Sequence, residues 1–224
     1  MSLKRKVEKS RDIIKEAFEK FPAQQIAVAW TGGKDSTVLL HLVRSTIADP
    51  SYKVMFNDST IEFPEVYDFV NQIHRKWELD LIWIRHLDTD LDAFNKAAND
   101  EEKMEIMRIA KINAINYALS RYQLKAFMSG IRWDEHEARS KEKYMSIRQT
   151  HLRIHPILHF TLEDIWDYIK TYEVPYISLY DKGYKSLGEQ PYTKPVFDPH
   201  APERAGREAT KERNMKRLRK LGYW

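Results

Sequence analysis

The sequence predicts an α/β protein: a doubly wound, mostly parallel sheet with helices on both faces, followed by a helical C-terminal extension. Short apolar runs that do not alternate with polar residues, such as "IAVAW" at 26–30, suit strands buried on both faces. These runs alternate with helical patterns, as in a parallel sheet wound by crossovers. Glycines and charged residues gather where the strands are expected to end, at 31–36, 57–62 and 130–139, which is where such sheets hold ligands.

Residues 5–20 read as a helix with Ile13, Ile14, Ala17, Phe18 and Phe21 on one face. The strand 26–30 leads into a helix at 35–46. "KVMFND" (53–58) is the second strand, and 63–77 is a helix with Pro64 in its first turn. "LDLIWIRH" (79–86) is the third strand, 101–122 a long helix, "KAFMSG" (125–130) the fourth strand and "LRIHPI" (152–157) the fifth. A further helix opens at 161–173, with Thr161 as N-cap and Asp164 in the capping-box position. We place the main domain at 1–160 and the extension at 161–224.

The chain of 224 residues contains no cysteine, which removes disulfides, thiolate nucleophiles, iron–sulfur ligation and cysteine-based zinc sites. No apolar run approaches the roughly 18 residues that cross a bilayer, and the charged, helical start carries no signal-peptide pattern. We therefore expect a cytoplasmic location without membrane contact. The net charge of +4 is concentrated in residues 201–224, where eight Lys/Arg face three Glu, so the other 200 residues sum to −1. We read that tail as a helix at 206–221 docked on the body, with Met215, Leu218 and Leu221 on one side, rather than as a nucleic-acid contact.

Between strand and helix lies "TGGKDS", Thr31 to Ser36. Gly32 and Gly33 permit the backbone turn that converges N–H groups on an anion. The N-terminus of the following helix adds its positive dipole end, Lys34 a point charge and Ser36 a hydroxyl. It is not a Walker A loop, because Asp35 follows Gly33-Lys34 and the position five before Gly33 is Val28, inside the strand. Taken alone the loop also reads, less readily, as a Gly-Gly turn joining strand to helix.

Two further blocks stand at strand ends. Asp58 in "FNDSTIEFPEVYDFV" can accept hydrogen bonds from a ribose or an adenine amino group. In "SGIRWDEHEARSKEKYMSIR", Arg132, Arg139 and Arg148 can gather around a phosphate or sulfate with forked hydrogen bonds, while Asp134 and Glu135 orient them or help hold Mg²⁺. Either block alone reads also as a capped helix start or a charged surface loop. Three in order, each at a strand end, favour a site.

These residues carry a resemblance. "AWTGGKDSTVLLHL" resembles the Ser-Gly-Gly-Lys-Asp-Ser loop of the PP-loop ATP pyrophosphatases, within the branch of phosphoadenosine phosphosulfate (PAPS) reductases and the small subunit of bacterial ATP sulfurylase. Asp58 and the "FPE" after it are similar to that branch's Asp-Thr-Gly-x-x-Phe-Pro-Glu block, with Thr60 where glycine is usual. Gly130, Arg132, Asp134, Glu135 and Arg139 match its Gly-x-Arg-x-Asp-Glu-x-x-x-Arg stretch, with Trp133 in place of a common arginine. "GYKSLG" (183–188) looks like a reductase segment that abuts the nucleotide, with Lys182 and Lys185 able to neutralise a terminal anion, whereas the C-terminal tail looks like a sulfurylase end.

The resemblance implies an adenine nucleotide alpha-hydrolase-like fold and an adenine nucleotide (ATP, APS or PAPS) held with Mg²⁺. It implies nucleotide contacts by Thr31, Gly32, Gly33, Lys34, Asp35, Ser36, Asp58, Gly130, Arg132, Glu135 and Arg139, and catalytic roles for Lys34, Arg132 and Asp134. Reductases of this branch attack the sulfonyl group with a cysteine, which this chain lacks. The expected activity is therefore adenylyl transfer at the α-phosphate to sulfate or an FMN-like acceptor, with a GTPase partner subunit or a homo-oligomer. The second reading is a PAPS- or APS-binding protein without thiol chemistry. Two weaker signals are set aside: the four-residue spacing of His151, His155 and His159, which Pro156 keeps off one helix, and Asp88/Asp90/Asp92, which lack the glycine and glutamate of a calcium loop.

Overall fold

The computed structural model describes residues 1–207, and they contain a single sheet of six strands: β1 (Ile26–Ala29), β2 (Lys53–Asp58), β3 (Leu81–Arg85), β4 (Ala126–Met128), β5 (Met145–Ile147) and β6 (Leu152–Ile154). Their order is β3-β2-β1-β4-β6-β5, all neighbours parallel except the final β6–β5 pair. The chain winds outward from β1 through β2 to β3, then returns to the other side of β1 with β4. That reversal makes a switch point between the carboxyl ends of β1 and β4.

Alternation along each strand builds the two layers. Ile26 and Val28 of β1, with Val54 and Phe56 of β2, face α1 (Leu3–Lys20), α2 (Lys34–Thr46), α3 (Pro64–Trp77) and α6 (Leu162–Thr171). Ala27, Met55 and Phe127 face the other way, onto Ile115, Ala118 and Leu119 of α5 (Asp100–Arg121). Leu39, Leu40 and Leu42 of α2 are completely buried, each contributing about 1.5–3 kcal/mol of apolar transfer. Ile165, Tyr168 and Ile169 of α6 join that same core, and the helix opens with the expected box: Thr161 Oγ1 accepts from Asp164 N at 3.2 Å, and Asp164 accepts from Thr161 N at 2.6 Å.

Two elements differ from the sequence expectation. Residues 88–96 form helix α4 (Asp88–Lys96), in which Asp90 accepts from the backbone of Leu87. β5 is a short antiparallel edge strand, so "LRIHPI" supplies the sixth strand rather than the fifth. Of the helix expected at 206–221, only Gly206 and Arg207 lie within the described residues, and Arg207 there bridges antiparallel to Thr193. Among the described residues, no helix is long and apolar enough to cross a membrane.

Candidate active site

A cavity of about 220 Å³ opens at the switch point, between the loop after β1 and the ends of β2 and β4. Thr31, Gly33, Lys34, Asp35, Ser36, Gly130, Glu135 and Arg139 line it. Gly32 takes φ +74°, a conformation that favours glycine, and so turns the chain into α2. Gly33 is the N-cap of α2 at φ −65°, an ordinary conformation, so the left-handed freedom expected of both glycines is used by Gly32 alone. Gly130 serves differently. A Cβ there would lie 2.9 Å from the carbonyl oxygen of Asp35 and 3.0 Å from Ser36 N, so only glycine lets β4 approach the first turn of α2.

Local hydroxyls hold the loop. Ser36 Oγ donates to Gly33 O at 2.9 Å and accepts from Thr31 N at 3.2 Å. Thr37 Oγ1 also donates to Gly33 O, at 2.9 Å, and accepts from Trp30 Nε1 at 3.0 Å. The N–H of Lys34, the first residue of α2, donates to the Tyr180 hydroxyl at 3.0 Å.

The charges sit above this frame. Lys34 and Arg132 are fully buried. Lys34 Nζ pairs with Asp35 at 3.0 Å and with Glu203. Arg132 pairs with Asp134 at 2.9 Å, with Asp35 and with Glu203. Burial lowers the guanidinium's proton affinity, but Glu203, Glu135 and Asp134 outweigh it and the net shift is upward. Glu135 joins Arg139 and, at 2.8 Å, Arg204. Burial pushes its carboxyl up, yet Arg139, Arg204, Arg132 and Lys34 together hold it well below the usual carboxylate range. Such buried, multiply paired ions fix a geometry more than they add stability.

Asp58 is not in the cavity lining. Its carboxylate accepts from Tyr67 Oη and Thr60 N at 2.7 Å and from Trp83 Nε1 at 3.0 Å, which ties β2 to α3 and β3; its neighbour Asn57 lines the cavity instead. Arg148 also lies outside the lining, because residues 145–147 pair as β5 and carry it to the hairpin turn. Lys182 pairs with Glu65 at 3.0 Å, and Lys185 with backbone carbonyls, so neither faces the cavity, whereas Ser186 and Gly188 do.

The carboxylates expected to help hold Mg²⁺ do not fit that task as arranged. Asp134 accepts from Arg132 and from Leu162 N at 3.0 Å, and Glu135 accepts from two arginines. Among the described residues no group of three or more His, Asp or Glu is placed to hold a metal ion. The three spaced histidines go to separate partners, with His155 bound to Ser129 at 2.8 Å and His159 to Lys6 O at 2.9 Å.

Sequence reasoning missed Tyr180, Arg153, Glu203, Arg204 and Arg207, which line the cavity or close its charge network. "GYKSLG" flagged the neighbourhood of Tyr180, but Glu203 and Arg204 stood in a tail read for its net charge, a docked helix and a sulfurylase-like end, none of which singled them out.

A parallel sheet with a glycine loop and buried cations at its switch point defines an α/β nucleotide-binding protein of the PP-loop kind. The phosphoadenosine phosphosulfate reductase domain matches residues 25–195, and the chain belongs to that family. It is 29% identical over 192 residues to the adenosine 5′-phosphosulfate reductase of Bacillus thuringiensis, covering 82% of this chain and 79% of that one. It is 30% identical over 201 residues to the same-named protein of Oceanobacillus iheyensis, covering 87% and 81%. Among solved structures, the Candida glabrata FMN adenylyltransferase bound to FAD and pyrophosphate superposes with a TM-score of 0.70 at 24% identity, over 88% of this chain but 65% of that one. The Candida auris PAPS reductase gives 0.69 at 19%, over 84% and 90%. At these identities the structures support the fold alone.

The relatives' names overturn the expectation of adenylyl transfer. They are reductases, and the missing cysteine on which that expectation leaned does not by itself decide the reaction. The sulfate or FMN acceptor and the GTPase partner, expected alongside it, find no support in these relatives.

Proposed function

We propose that the protein binds adenosine 5′-phosphosulfate and works on the reductase side of its family, presenting the sulfonyl group to a thiol supplied by another molecule. The observation that carries this is the meeting of Lys34 and Arg132, both fully buried, with the N-terminus of α2 at the switch point. The two cations share one carboxylate, that of Glu203, beside the first turn of α2; Lys34 and Arg139 line the cavity, while Arg132 is not in its lining.

The chemistry is a two-thiol reduction. A thiolate attacks the sulfate sulfur, the S–O bond to the phosphate breaks, and AMP leaves with the electron pair. A second thiol attacks the resulting S-sulfonated sulfur, forming a disulfide and releasing sulfite. The dithiol is oxidised by two electrons and comes from outside, since this chain has no cysteine. Lys34 and Arg132 offset the charge that gathers on the departing phosphate.

Calorimetric titration with adenosine 5′-phosphosulfate, its 3′-phosphorylated form and ATP, followed by a sulfite-release assay with added dithiol, tests the reading. Tight binding of the sulfated nucleotides with dithiol-dependent sulfite release is expected. Failure to bind any of the three removes the nucleotide site, and binding without sulfite release removes the reductase chemistry.

A further inference from the structure

The donors of the anion site are already occupied, and two of their acceptors, Tyr180 and Glu203, come from the C-terminal third of the chain. Tyr180 takes the N–H of Lys34, and Glu203 takes both the Lys34 ammonium and the Arg132 guanidinium, one on each carboxylate oxygen. Among the described residues, Lys34, Arg132, Arg139 and Arg204 thereby meet Asp35, Asp134, Glu135 and Glu203, four charges of each sign. Asp35 and Asp134 lie within two residues of a cation they neutralise. Glu203 reaches Lys34 across 169 residues.

The stretch that brings it is fastened on both sides. Lys185 Nζ donates to the carbonyls of Asp198 at 2.6 Å, Pro199 at 3.1 Å and Ala201 at 2.9 Å. Lys194 N donates to Gly206 O at 2.9 Å, and Arg207 to Leu187 O. Every one of these bonds is a polar contact near the surface, which water can replace. The cavity beneath, about 220 Å³, falls short of the roughly 300–1,000 Å³ typical of small-molecule sites.

We propose that Glu203 is an internal surrogate for the ligand's anionic end, and that residues 198–207 form a strap that lifts when the ligand enters. Lifting it carries away Arg204 as well as Glu203, so the count of charges stays even, but Lys34 and Arg132 lose the carboxylate they share, and the arriving anion takes its place. The strap lowers apparent affinity by the fraction of time it is closed and keeps bare Lys34 from lesser anions. The identity of the ligand rests on the nucleotide reading above; the plug itself does not.

The test compares the full chain with Glu203→Gln by calorimetry, using adenosine 5′-phosphosulfate, uncharged adenosine and inorganic pyrophosphate. Hydrogen exchange of 198–207 is followed in the parent with and without the sulfated nucleotide. A strap closed nine-tenths of the time predicts about tenfold tighter binding of the sulfated nucleotide by the variant, with adenosine unchanged. It also predicts faster exchange in 198–207 when that nucleotide binds. Equal or weaker binding by the variant, or a strap as protected with nucleotide as without, overturns the proposal. If the sulfated nucleotide binds neither protein, the nucleotide reading fails and pyrophosphate decides the strap: tighter binding by the variant keeps it, and no difference ends it. Should Glu203→Gln fail to fold, the exchange measurement on the parent decides.

Discussion

Gly130→Ala puts the architecture of the site to its sharpest test. The added methyl would lie 2.9 Å from Asp35 O, 3.0 Å from Asp35 C and 3.0 Å from Ser36 N, all backbone atoms of the first turn of α2. Backbone cannot swing aside as a side chain can, so β4 and α2 must separate by a few tenths of an ångström. Overpacking of this kind costs about 1–3 kcal/mol. Against it stands a gain of about 0.4–1 kcal/mol, because alanine restricts the unfolded chain. The balance is a loss of roughly 1–2 kcal/mol, or roughly 2–8 °C in Tm for a chain of this size. The same separation moves the Lys34 N–H and Nζ away from Arg132, so anion affinity falls together with stability. Urea titration and calorimetry with adenosine 5′-phosphosulfate measure the two effects. A Gly130→Ala protein as stable as its parent would refute the close-approach argument.

Three more outcomes are expected. Thr60 sits at φ 67° with its Oγ1 buried and without a hydrogen-bond partner among the described residues. Thr60→Gly should relieve about 1–2 kcal/mol of left-handed strain against an entropic cost of about 0.5–1, a net gain read as a higher urea midpoint. Lys34→Ala should weaken sulfated-nucleotide binding roughly 10- to 100-fold by calorimetry, the worth of one charged hydrogen bond. Burial, with Arg153 and Arg139 nearby, pushes His155 down to about 3; burial, aided by Lys111, pushes His86 to about 4. Both rings are neutral when folded but take up protons when unfolded. Their stabilisation is complete above about pH 6.5 and is lost as pH falls toward 4, at up to about 1.4 kcal/mol per pH unit for each ring. Urea midpoints between pH 7.5 and 4.5 should fall on the acid side, and His155→Gln should flatten the slope.

The parts of the fold that were legible were those whose signal is local. "IAVAW" followed by two glycines and an apolar helical pattern contains a strand, its loop and its helix within twenty residues. β5 carried no such signal: it is three residues long at the sheet's edge, with Ile147 almost wholly exposed, so no buried face imposes a pattern. Asp58 was correctly placed at a strand end, but its partners Tyr67 and Trp83 lie on two other elements that only the packing brings together. Glu203 was the least legible of all. Nothing near it in the chain announces a pairing with Lys34, whereas the positive charge of its surroundings announces a surface.

The distance between Lys34 and Glu203 along the chain also sets an order of events in the cell. The glycine loop leaves the ribosome long before the carboxylate that pairs with its lysine, and at roughly 5–20 residues per second the 169 residues between them take on the order of ten to thirty seconds. For most of that interval the loop's lysine has neither Glu203 nor Tyr180 to bury it, so the nascent sheet has to keep this edge wet. This corner of the cavity is therefore among the last parts of the molecule to dry, and any anion present during synthesis reaches Lys34 before the chain's own carboxylate does.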